Sequence, residues 1–65
     1  MERIKLCKNR FRRDGKEFTN YVIYKFVKNT AVGAMWDIVE KGTLEEMRAS
    51  WESSKYNNCY KTIEI

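Results

Sequence analysis

The stretch Arg3–Lys28, RIKLCKNRFRRDGKEFTNYVIYKFVK, decides the fold. Two runs rich in β-branched and aromatic residues flank Asp14-Gly15, a strong hairpin signal. Glycine takes positive φ without a Cβ clash, and Asp14 can bond its own neighbouring backbone. Two registers compete. A two-residue loop pairs Phe11 with Phe18 but sets Ile4 and Leu6 on the opposite face from Val22, Tyr24 and Phe26. A three-residue loop, Arg13 to Gly15, pairs Leu6 with Val22 and Ile4 with Tyr24. A one-residue slip turns every side chain over, so a one-faced core favours the second register. In it, Arg3, Lys5, Cys7, Asn9, Phe11, Tyr21, Ile23, Lys25 and Val27 line the other face. Little between Lys8 and Asn20 can be buried except Phe11 and Phe18, so the tip reads as a basic arm projecting from the body.

Working outward, Asn29-Thr30 is the next candidate turn. The segment after it, AVGAMWDIVE, fits two periodicities. As a strand it puts Val32, Ala34, Trp36 and Ile38 on one face; as a helix it aligns Val32, Met35, Trp36 and Val39. Interior Gly33, the pair Ile38-Val39 and the short length favour a strand. A helix here would turn the C-terminal half into a helix–turn–helix. Lys41-Gly42 ends the element, and Thr43-Leu-Glu-Glu46 opens a helix with a capping box. Glu45 and Glu46 suit the positive end of its dipole. Leu44, Met47 and Trp51 form its apolar stripe, and the helix should run to about Lys55. Cys59–Ile65 reads as a last strand with Cys59, Ile63 and Ile65 inward.

The expected fold is therefore α+β: a small four-stranded mixed sheet, β-β-β-α-β. The right-handed crossover rule places the last strand beside the first, in the order 3-2-1-4. The helix is expected to cover Ile4, Leu6, Val22, Tyr24, Phe26, Trp36 and Ile38, leaving the other face open.

Length bounds the rest. Residues 1–65 make a single small domain, and a chain this size buries only about 60% of its unfolded surface. Little remains for a deep pocket, which argues against a small-molecule enzyme. There is no histidine to activate a nucleophile; Cys7 beside Lys5 is the one thiol whose pKa could be lowered. Adjacent Glu45 and Glu46 point apart and are explained by capping, while Asp37 and Glu40 read as lone surface charges. Two cysteines and no histidine fall short of a structural zinc site. No catalytic, metal or cofactor site is expected, and no enzyme activity. The N-terminus carries no apolar signal segment, so the expectation is a soluble, cytoplasmic protein whose cysteines stay reduced.

The net charge of +4 is uneven. Residues 1–30 hold nine Lys/Arg against three Asp/Glu, or +6; residues 31–65 hold four against six, or −2. Basic surfaces attract polyanions. Cations interleaved with rings on an open sheet can bind single strands, while a protruding basic ribbon can enter a duplex groove. The candidate binding residues are Arg3, Lys5, Arg10, Phe11, Arg12, Arg13, Lys16, Tyr21 and Lys25. Against this, Phe11 and Tyr21 could simply form a stiffening cross-strand pair, and Trp36 and Trp51 read as core. No RNP-type aromatic motif is present. The expected function is non-enzymatic nucleic-acid binding, to single strands or duplex. The alternative is a protein-binding inhibitor or adaptor whose basic face docks on an acidic protein surface, a homodimer through a sheet edge also being open to it. In size and composition alone, the chain is similar to compact phage or mobile-element products, including anti-defence proteins, that inhibit host enzymes.

Overall fold

Asp14 and Gly15 set the register of the sheet. Both take positive φ, 53° and 75°, as in a type I′ turn, whose twist matches that of the strands it joins. The computed structural model describes all residues, Met1–Ile65. Strands β1 (Glu2–Arg13) and β2 (Lys16–Thr30) pair antiparallel from Arg13↔Lys16 through Phe11↔Phe18 to Ile4↔Lys25. The loop therefore holds two residues, and the three-residue loop expected from burial is not formed. That expectation assumed a single buried face on β2. In the protein its neighbours Val22 and Ile23 point to opposite faces and are 2% and 0% exposed. Burial then ceases to discriminate between the registers, and the turn chemistry chooses.

Strand β3 (Gly33–Gly42) pairs antiparallel with β2, and β4 (Cys59–Glu64) runs parallel to β1, giving the order β3-β2-β1-β4. This is the expected α+β arrangement, with Ala31–Glu40 largely in a strand. The second turn sits at Ala31-Val32, two residues beyond Asn29-Thr30, because Thr30 pairs with Gly33 and donates its hydroxyl to the Gly33 carbonyl at 2.7 Å. Two bulges interrupt the β2–β3 ladder: Val39 is the extra residue where Ile23 opposes Glu40 and Tyr24 opposes Ile38, and Val27 is extra between Phe26 and Lys28. Bulges re-aim the side chains that follow them.

Helix α1 (Leu44–Trp51) starts with the expected capping box. The Glu46 amide donates to Thr43 Oγ1 at 3.2 Å, and the Thr43 amide donates to Glu46 Oε1 at 3.1 Å. It ends sooner than expected. The Ser53 hydroxyl donates to the Ser50 carbonyl at 2.6 Å, and a single 3₁₀ turn, Ser54–Tyr56, brings Tyr56 back onto the sheet. The core is Ile4, Leu6 and Ile23 under Met47, Trp51 and Tyr56, with Tyr21 and Cys59 partly buried against it. Gly42 lets α1 approach closely, since a Cβ there would stand 3.1 Å from Glu46 Oε1 and 3.4 Å from Met47 Cε. Of the sheet residues expected beneath the helix, only Ile4 and Leu6 are there. Val22, Tyr24, Phe26, Trp36 and Ile38 face the other way, because the two-residue loop inverts β2 and β3 follows it.

Candidate nucleic-acid interface

The inverted register gives the face opposite α1 an aromatic layer. Phe26 and Trp36 meet edge to face with centroids 5.4 Å apart. The Arg3 guanidinium lies 5.7 Å from the Phe26 centroid. Lys5 Nζ lies 4.3 Å from the Trp36 centroid and 5.5 Å from that of Tyr24. By register, Arg13, Lys16 and Lys41 share this face with Arg3 and Lys5, and β4 adds Tyr60, Thr62 and Glu64. Glu64 is the only strand carboxylate among them, so five cations against one acid leave the face at +4. Arg3, Lys5, Trp36, Tyr60, Thr62 and Glu64 surround a shallow concavity of about 490 Å³.

Beyond the four-stranded body the hairpin continues alone. Strand β4 pairs with Glu2–Cys7 and β3 with β2 from Tyr21 onward, so Asn9–Asn20 pair only with each other. Five residues per strand make an arm about 16 Å long. It carries Arg10, Arg12, Arg13 and Lys16 against Asp14 and Glu17, a net +2. The ion pairs of the protein are Lys5–Glu64, Lys25–Glu2 and Lys55–Glu40, so the arm's cations are uncommitted. Phe11 and Phe18 stack across it, with centroids 5.6 Å apart and planes at 23°, and are 37% and 43% exposed. Hydrophobic burial alone does not account for a stacked pair this far out.

Of the residues singled out in the sequence, Arg3, Lys5, Phe11, Arg13 and Lys16 gather on the open face, while Arg10 and Arg12 lie on the arm's other side. Tyr21 and Lys25 do not join them. Tyr21 packs against the core beneath α1, and Lys25 is held at 2.9 Å by Glu2 on that same side. Sequence reasoning missed Phe18, Tyr24, Phe26, Trp36, Lys41 and Tyr60. The signal was the Asp-Gly dipeptide itself, whose preference for a two-residue loop places Tyr24 and Phe26 opposite Lys5 and near Arg3.

Two titratable groups differ from expectation. The Cys7 thiol, 3.5 Å from Glu64 Oε2, has its pKa raised, first by burial and then by Glu64, outweighing Lys5. A raised thiol pKa leaves less thiolate, the nucleophilic form, at neutral pH. Both cysteines are free. Glu40 is no lone charge. It accepts from Ser50 Oγ at 2.9 Å and from Tyr56 OH, and pairs with Lys55 Nζ at 3.1 Å. These bonds, the Tyr56 one foremost, pull its carboxyl below the usual range, and burial with Glu40 pushes the Tyr56 phenol well up. Glu40 thus ties the 3₁₀ turn to β3, a structural duty on the covered side. No three His, Cys, Asp or Glu side chains are gathered closely enough to hold a metal ion, and no helix is long and apolar enough to cross a membrane.

Rings with open faces can stack on bases, and cations beside them can meet phosphates. The sequence matches no protein-family model, and neither curated proteins nor solved structures give a significant match.

Proposed function

We propose that this protein is a non-enzymatic binder of single-stranded nucleic acid. The observation that carries the reading is the segregation on the sheet face opposite α1. Phe11, Phe18, Tyr24, Phe26, Trp36 and Tyr60 lie there with Arg3, Lys5, Arg13, Lys16 and Lys41, against Glu64 alone. The strand would run along the arm and across the body, bases on the rings and phosphates on the cations. Arg10 and Arg12 would grip it from the arm's other side.

A second reading is favoured by the sheet edges. Strand β4 has neither proline nor bulge, and Tyr60, Ile63 and Ile65 beside its free edge are 61%, 58% and 59% exposed. Such an edge can recruit a partner strand, as an inhibitor or adaptor docking on an acidic protein would.

Fluorescence anisotropy with labelled single strands and duplex, at about 50 and 200 mM salt, tests the first reading. Micromolar or tighter binding to single strands is expected, falling by roughly a hundredfold or more between those salts and abolished by Arg12→Glu with Arg13→Glu. No binding at the lower salt would refute it and leave the β4 edge as the surface to pursue.

A further inference from the structure

The one carboxylate on the cationic face, Glu64, sits where it repels phosphates, beside an ammonium that lies over an indole. Its Oε2 is 3.9 Å from Lys5 Nζ, and that ammonium lies 4.3 Å from the Trp36 centroid. The Glu64 side chain is 54% exposed and lines the 490 Å³ concavity; its Oε2 faces Lys5 and the Cys7 thiol, and a ligand there would take the place of the thiol. An acceptor and a donor thus stand side by side, the donor lying over an indole.

A carboxylate only accepts, and an ammonium only donates. Guanine is the base whose Watson–Crick edge answers that pair: O6 accepts, and the adjoining N1–H and N2–H both donate. Uracil and thymine set one N–H between two carbonyls. Adenine and cytosine set a ring acceptor beside their amine. Each of these turns a lone pair towards Glu64. We infer that the concavity is a guanine-preferring subsite for single-stranded nucleic acid. Glu64 accepts from N1 and N2, and Trp36 stacks the ring. Lys5, leaving the indole, donates to O6, while Arg3 meets the adjoining phosphate. This deepens the nucleic-acid reading and rests on it.

The experiment compares a short labelled oligodeoxythymidine with the same oligomer carrying one central dG, dA or dC. A single guanine cannot form a quadruplex. The dG oligomer is expected to bind about tenfold tighter than the other three. Glu64→Gln keeps the size but replaces one of the two acceptor oxygens by an amide N–H₂ donor and removes the charge, so it should erase that preference while holding the parent oligomer at least as tightly. Equal affinity for all four oligomers, or a guanine preference that survives Glu64→Gln, would overturn the subsite and leave general strand binding standing. Failure of every oligomer to bind would overturn both.

Discussion

Replacing Tyr56 by Phe removes one hydroxyl and keeps the ring that packs beside Trp51, with centroids 6.4 Å apart. Glu40 then loses its phenol donor and keeps Ser50 and Lys55. A hydrogen bond to a charged group contributes about 1.5–3 kcal/mol. The Glu40 side chain is 25% exposed, so water recovers part of the loss and the lower figure, about 1.5 kcal/mol, applies. For a domain of this size that lowers Tm by roughly 6–12 °C. The pH dependence separates this bond from mere repacking. Glu40 has a lowered folded pKa, so its contribution is full above the ordinary carboxylate range and is lost as pH falls through the folded value. Tyr56 has a raised folded pKa, so its contribution is full below the ordinary phenol pKa of about 10 and is lost as pH rises further. Thermal unfolding followed by circular dichroism should therefore show wild type and Tyr56→Phe well apart at neutral pH and converging in acid. Wild type alone should show the steeper alkaline loss. Equal Tm at neutral pH, or a gap that persists undiminished in acid, would refute the reasoning.

The two tryptophans should part company on truncation. Trp51→Ala empties the buried centre of the α1 packing, costs about 3–5 kcal/mol and should leave the domain largely unfolded by circular dichroism, whereas Trp36→Ala should fold and lose strand binding in anisotropy. The Cys7 thiol should react with a thiol-specific reagent at neutral pH more slowly than a free cysteine does, since burial and Glu64 raise its pKa. Glu64→Gln should speed that reaction.

The topology was legible because local signals agreed with it: Asp14-Gly15 for the hairpin, Thr43 to Glu46 for the start of α1, Gly33 and Ile38-Val39 for a strand over a helix. The facing of β2 was not. Val22 and Ile23 are consecutive and both buried, so a rule that one face is buried has no footing there. The extra residues Val27 and Val39 leave no mark in a β-branched run, though they decide where Trp36 points. Arg3, Lys5 and Phe11 keep the facing expected of them because they lie on β1, whose facing was fixed by Ile4 and Leu6. Tyr21 and Lys25 lie on β2 and went to the covered side. Glu40 could not be read as a structural residue, since Ser50 and Tyr56 lie 10 and 16 positions away.

The central claim is that the sheet face opposite α1 is the binding surface, and an amide and indole ¹H–¹⁵N titration with oligodeoxythymidine tests it most directly. The protein has two tryptophans, one on each side of the sheet. The account expects the Trp36 indole signal to move, together with amides of Lys5, Tyr24, Tyr60 and the Arg10–Phe18 arm. The signals of Met47, Trp51 and Tyr56 should hold still. Shifts confined to α1 and the Trp51 indole, or no shifts at saturating oligomer, would contradict it.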